Sequence, residues 1–277
     1  MLTLYYMTYF IAIILGFIEG ATEFIPVSSS GHLIIFRQIL GTNNFGGLAF
    51  DAILQLSATL ALLVYFGGDI WALFQTAKDY VAKYVFKRKV DLEQHTNRTL
   101  LLAIVFGTIP AIIFGLLFEN WMETIFRNVE LVGLTLILGS ILFWFAERVA
   151  KENRGISLSR GIVVGFFQCL ALIPGMSRSG ATISGGLIMG FTKDEAVRFS
   201  FLLSLPILLG AGLKKVFDVR HELFSTSFGL PLLLGCITAF ITGLIAINFL
   251  IRYLKNHNLN VFIWYRVILA VVLFLVF

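Results

Sequence analysis

The sequence predicts an all-α polytopic membrane protein with an inverted-topology repeat, each half a re-entrant helix hairpin plus three transmembrane helices, six spans in total. Three observations predict it. Of 277 residues, 58% are hydrophobic and 13% charged, against about half and about a quarter in soluble domains. The apolar residues gather in runs near the ~20 residues needed to cross a hydrocarbon core. Two polar, proline-broken segments recur far apart, and they recur in register.

The first broken segment covers roughly Ile11–Ile39 and the second Gly161–Phe191. Gly16-Phe17-Ile18-Glu19 matches Gly165-Phe166-Phe167-Gln168, an offset of 149 residues. Ser28-Ser29-Ser30-Gly31 matches Ser177-Arg178-Ser179-Gly180 at the same offset, with Ile25-Pro26 and Ile173-Pro174 one residue out of step. Proline disfavours helix at the residue before it and donates no backbone bond. Ser-Gly runs end helices and start new ones. Each segment therefore reads as two short helices joined by a polar tip, and such backbone survives at membrane depth only inside protein or along a cavity.

Three apolar runs follow each hairpin: Phe50–Phe66, Leu100–Phe118 and Leu131–Phe145, then Phe199–Leu213, Gly229–Leu250 and Val261–Phe277. A hairpin returns to its own side, so three spans per half leave the second half upside down, the plan that places sites at the midplane. The chain is one integral membrane domain over residues 1–277, with residues 1–150 as first repeat and 151–277 as second. Gly67–Arg98 is the one sizeable extramembrane segment. No Lys or Arg precedes Arg37, so the N-terminal segment lacks the basic region of a signal peptide and is expected to be retained.

Charge orients the chain. With this topology 14 Lys and Arg fall on one side and 5, Arg127 among them, on the side of the N-terminus, with Arg178 and Arg266 at membrane depth. The positive-inside rule puts both termini outside. The net charge of +5 then reflects cytoplasmic loops, and no nucleic-acid partner is expected. Cys169 and Cys236 lie in apolar surroundings and read as two buried thiols. His95 and His257 fall in polar connections, and His221 in an outer loop without a motif. Asp51, with Gln55 one turn on, either caps its helix or faces the site. Arg266 interrupts the last span and is expected to pair within the bundle.

Charges at membrane depth cost at least ~2.5–3.5 kcal/mol each, so those present call for a reason. Glu19 and Glu23 stand four apart on one helix face and repel unless a proton or cation sits between them. Ser28, Ser29, Ser30 and His32 follow Pro26. A half-helix N-terminus offers free N–H groups and a positive dipole end, which suit phosphate. Ser177, Arg178, Ser179 and Gly180 present a second such end, and Arg178 adds a fork of donors matched to phosphate oxygens.

Glu19-Gly-Ala-Thr-Glu23-Phe-Ile-Pro-Val-Ser-Ser-Ser-Gly-His32 and Pro174-Gly-Met-Ser-Arg178-Ser-Gly closely resemble the two signature motifs of the bacterial undecaprenyl-pyrophosphate phosphatase family, also called the bacitracin-resistance family. Length and repeated architecture extend the resemblance over the whole chain. Met176 stands where small or polar residues are common. The resemblance implies hydrolysis of undecaprenyl pyrophosphate to undecaprenyl phosphate and inorganic phosphate, which recycles the carrier lipid for cell-wall polymers in the bacterial plasma membrane. It implies Glu19, Glu23, Ser29, His32 and Arg178 as the essential set. Ser29 is the expected nucleophile with Glu23 or His32 as its base, and His32 as direct nucleophile is the alternative.

Ser28, Ser30, Ser177, Ser179 and Gly180 are expected to bind the substrate. Glu19 and Glu23 are expected to hold a divalent cation, Mg²⁺ or Ca²⁺. The active site is expected to open toward the outer face, and the sequence leaves a homodimer open. The rival reading is a transporter or flippase for a polyprenyl-phosphate lipid, since broken helices in inverted repeats are a transporter plan.

Overall fold

The protein is described from a computed structural model that covers residues 2–42, 47–88, 97–124, 129–218, 220 and 229–276, with side chains for these except 2–8, 47–48 and 119–124. His95, His221 and Arg127 lie outside the described residues. Among the described residues all regular structure is helical: α1 Leu2–Phe24, α2 Ser29–Ile39, α3 Gly47–Tyr65, α4 Gly67–Tyr84, α5 Arg98–Thr124, α6 Val129–Val149, α7 Leu158–Cys169, a 3₁₀ turn Leu170–Leu172, α8 Arg178–Ile188, α9 Lys193–Asp218, α10 Gly229–Leu254 and α11 Asn260–Val276.

Both broken segments fold as helix, tip, helix. α1 ends at Phe24 because Ile25 precedes Pro26, and the 3₁₀ turn ends at Leu172 because Ile173 precedes Pro174. Ser28 caps α2 by accepting from the Gly31 N–H at 3.3 Å, and Ser177 caps α8 by accepting from the Gly180 N–H at 3.2 Å. The capping serines sit at φ 76° and 68°, a region that costs a non-glycine residue of order 1–3 kcal/mol. The duplication thus extends to the backbone strain at each tip.

Packing repeats as well. α1 lies along α10, and α7 along α5. A Cβ on Gly16 would fall 2.3 Å from the carbonyl oxygen of Gly235, and one on Gly165 would fall 2.0 Å from that of Gly107. These two glycines share the 149-residue offset, and each lets two helix backbones touch, the close approach that small residues give membrane helices. α3 packs on α9 and α6 on α11, joining the halves. Outward faces carry exposed apolar side chains such as Leu117, Ile245 and Leu275, while buried polar residues concentrate where the tips meet.

The spans differ from expectation in three respects. Among the described residues four helices are individually long and apolar enough to cross a membrane, or five if the bent pair α3–α4 is one span; α11 is apolar but has 17 residues, near the short end of what spans. Gly67–Tyr84, expected as part of a connecting segment, is a helix turned 81° from α3. It has Asp69 in its first turn and Lys83 in its last, the charges that suit a helix dipole, and Asp69 pairs with Arg198 of α9. The first limb of the first hairpin is no short helix from Ile11: it runs from Leu2 for 23 residues, because nothing before Pro26 breaks it.

Candidate active site

The two tips touch. The Gly175 N–H donates to Ser28 Oγ at 3.2 Å, so the serine that caps α2 also ties down the opposite hairpin. Gly175 sits at φ +92°, and a Cβ there would fall 1.9 Å from Thr135 Oγ1. Only glycine meets both conditions. Thr135 in turn donates to the Pro174 carbonyl at 2.5 Å.

Arg266 of α11 holds the junction. It is fully buried, and it donates to the carbonyls of Gly175 (2.9 Å), Met176 (3.2 Å) and Pro26 (3.4 Å), and to those of Thr135 and Leu136 on α6. Its guanidinium also lies 4.7 Å from the centre of the Phe143 ring. The expected pairing within the bundle is therefore with backbone carbonyls from both tips, among the described residues, rather than with a carboxylate.

A cavity of about 200 Å³ opens beside the tips, lined on one side by Glu23, Ser28, Ser29, Ser30, Ser177 and Arg178. The N-terminal ends of α2 and α8 both face it, as anion binding requires. Ala111, Leu172, Ile207 and Leu208 give the cavity an apolar share of its lining, and Gln55 and Gln168 also line it. Glu23 is the hub. Its Oε2 accepts from Ser29 Oγ. Its Oε1 accepts from Arg178 Nη2 at 2.9 Å and from Gln55 Nε2 at 3.3 Å. Arg178 Nη1 is buried without a partner among the described residues, a donor left over once Glu23 is satisfied.

Of the residues expected from sequence, Glu23, Ser28, Ser29, Ser30, Ser177 and Arg178 meet in the cavity. Ser179 and Gly180 do not line it: Ser179 Oγ lies 3.2 Å from Ser177 Oγ, and Gly180 supplies the N–H for the cap. Glu19 is buried and does not line the cavity, and its Oε1 has no hydrogen-bond partner among the described residues.

His32 is turned elsewhere. Its Nδ1 lies 2.7 Å from the Ser28 carbonyl and its Nε2 lies 2.7 Å from Tyr265 Oη. A carbonyl only accepts, so Nδ1 carries a proton, and Nε2 is taken up by the tyrosine. Neither nitrogen keeps a lone pair for Ser29. Asp51 accepts from Arg37 Nε and Nη2, pairing α3 with the end of α2, so it neither caps its helix by this contact nor lines the cavity. His257 is exposed, stacked on Tyr253. Cys169 and Cys236 are free and only partly buried.

A cation is a question of fit. Among the described residues no three His, Cys, Asp or Glu side chains come together as a ligand set. Two carboxyls four residues apart on α1, one with an oxygen unpartnered among the described residues, suit a hard cation that takes its other ligands from water and substrate phosphate, as Mg²⁺ commonly does.

Sequence reasoning missed Gln55, Gln168, Tyr265 and the full role of Arg266. The offset of 149 carried the one available signal, since it pairs Gln168 with Glu19.

Comparison with known proteins places this geometry. A family model described as "Bacitracin resistance protein BacA" matches residues 12–272. The chain is 40% identical over 261 residues to the undecaprenyl-diphosphatase of Pelobacter propionicus, covering 93% of each chain. It is 39% identical to that of Chlorobium chlorochromatii over 96% of this chain and 95% of the other. It is 36% identical to that of Renibacterium salmoninarum over 95% and 94%.

Proposed function

This chain belongs to the bacitracin resistance protein BacA family, and from that premise we propose how its two hairpin tips carry out the reaction. The protein is a multi-pass membrane enzyme. It hydrolyses undecaprenyl pyrophosphate to undecaprenyl phosphate and inorganic phosphate, as the names of its relatives indicate. The observation that carries the mechanism is the hydrogen bond from Ser29 Oγ to Glu23, beside an arginine with a donor to spare.

Ser29 Oγ attacks the terminal phosphorus, and its proton passes to Glu23, the base a serine hydroxyl needs. The bond from that phosphorus to the bridging oxygen breaks, and undecaprenyl phosphate leaves. Glu23 gives that proton to the departing phosphate; water then attacks the phosphoserine, Glu23 takes the water's proton and passes it to Ser29 Oγ as the P–O bond breaks, which releases inorganic phosphate and restores Ser29. Arg178 Nη1 and the N-terminal N–H groups of α2 and α8 stabilise charge on the transferring oxygens, which is most of what phosphoryl transfer asks of a protein. His32 acts through position: it fixes the carbonyl of Ser28 and so the start of α2. Nothing in this geometry favours the transporter reading over hydrolysis.

The test is phosphate release from the lipid diphosphate by purified protein in detergent. Arg178→Lys keeps the charge and loses the fork, so kcat/KM is expected to fall about 100-fold while insertion is unchanged. Near-normal turnover would remove the fork from the mechanism.

Glu19 and Glu23 would hold a divalent cation, Mg²⁺ or Ca²⁺, together with the diphosphate. When bound, it would offset the repulsion between carboxylates and substrate. Glu19→Gln should then weaken the dependence on added cation. Full wild-type activity after exhaustive chelation would rule the cation out and leave the carboxylates acid–base roles only.

The second half is placed inverted relative to the first, with both termini outside and the cavity open to the outer face. The positive-inside bias supports this orientation. Single cysteines at Asn43 and Asn153 test it with an impermeant thiol reagent on intact cells. Labelling at Asn43 alone is expected, and the reverse pattern would make the site cytoplasmic. A homodimer remains compatible with this plan, since the cavity is built within one chain.

A further inference from the structure

Gln168, in the last turn of α7, is 2% exposed, yet neither its Oε1 nor its Nε2 has a hydrogen-bond partner among the described residues. A buried primary amide with neither end paired is a substantial cost to the folded protein. It lines the cavity. It occupies the position in the second hairpin that Glu19 occupies in the first, an amide where the first hairpin has a carboxyl.

Its place along the wall says which part of a substrate it meets. Glu23, the three serines of α2, Ser177 and Arg178 form the polar end of the cavity. Ala171 and Leu172, three and four residues after Gln168, belong with Ile207, Leu208 and Ala211 to the apolar wall. Gln168 shares the cavity with the polar set, and the chain runs from it within one turn into the apolar lining. A lipid diphosphate aligned with this cavity puts its terminal phosphate at Ser29 and Arg178, its tail against the apolar wall, and its lipid-bearing phosphate between them.

We propose that Gln168 is a substrate-binding residue whose amide Nε2–H donates to the lipid-bearing phosphate, the group that leaves. The inference rests on the cavity being the diphosphate site. Glutamine suits the role because it donates without adding charge. A carboxylate at this position, as in the first hairpin, would repel the leaving phosphate as its charge develops. A bound phosphate would give the amide the partner that no described residue supplies.

The test uses full-length protein in detergent and two probes, undecaprenyl phosphate and orthophosphate, whose binding is followed by calorimetry, alongside thermal melting. Gln168→Met keeps the volume and removes the amide. It is expected to weaken binding of undecaprenyl phosphate about tenfold, to leave orthophosphate binding within about twofold, and to raise Tm by a few degrees because an unpaired buried amide is gone.

Unchanged affinity for the lipid phosphate would overturn the proposal. So would a lowered Tm with both ligands equally weakened, since that marks a structural role. Gln168→Leu serves as second variant, and failure of both to fold would equally assign the amide to the fold. Arg178→Ala separates this proposal from the reading beneath it. If Arg178→Ala leaves orthophosphate binding intact, the cavity is not the phosphate site. If it abolishes that binding while Gln168→Met changes nothing, the site stands and the role of Gln168 falls.

Discussion

Ser29→Ala is expected to lower turnover by at least about 10⁴-fold, the scale on which removing a nucleophile from an enzyme acts, with the protein still inserted and folded. The hydroxyl does not cap α2; Ser28 does that. Its recorded contact is with Glu23, so little stability rides on it. Glu23→Gln should fall nearly as far, because an amide can neither take the proton nor balance Arg178. His32→Gln should cost less than either, since His32 meets the Ser28 carbonyl and Tyr265 rather than the cavity. Phosphate release from the lipid diphosphate measures all three. A phosphoserine trapped by rapid acid quench and mapped to Ser29 is the positive result. Retention of more than about a hundredth of wild-type turnover by Ser29→Ala would mean that water attacks directly. A loss in His32→Gln as deep as in Ser29→Ala would return the nucleophile role to the histidine.

The site was legible in the sequence to the extent that polar residues interrupt apolar runs. Glu23, Ser29 and Arg178 stand out because a membrane tolerates few such groups, and the two prolines mark the tips. The turn from α3 into α4 was not legible as a helix, because an amphipathic pattern in a charged segment reads as a connection. The partners of His32 were not legible either. Tyr265 lies 233 residues away, and a tyrosine within an apolar span reads as an interface anchor. Gln168 stands in the sequence only as the repeat partner of Glu19, and its burial without a partner among the described residues is visible only in the fold.

Arg266→Met is expected to produce the largest loss of stability of any single change considered. Two effects oppose each other. Removing a buried cation relieves its desolvation cost, and that relief often makes such replacements neutral. Against it stand the carbonyls of Pro26, Gly175 and Met176, which belong to the tips and to no helix ladder, and which the guanidinium serves together. Leaving each unpaired and buried costs about 1–3 kcal/mol, so three of them outweigh the relief. The net loss should be about 2–5 kcal/mol, a large share of the roughly 5–15 kcal/mol that holds a protein folded. Arg266→Lys should fare little better. One ammonium cannot reach carbonyls on both tips and on α6, and the space left by Gly139, where a Cβ would fall 2.1 Å from Arg266 Nη2, would stand empty. Activity should fall with stability even well below the melting temperature, because the tips carry Ser29 and Arg178 on opposite hairpins and a displacement of about 1 Å can cost 100-fold. Thermal melting in detergent, paired with phosphate release at a temperature where the variant is folded, separates the two effects. An Arg266→Met protein that melts within about 2 °C of the parent and turns over normally would show that the tips hold their register without the arginine.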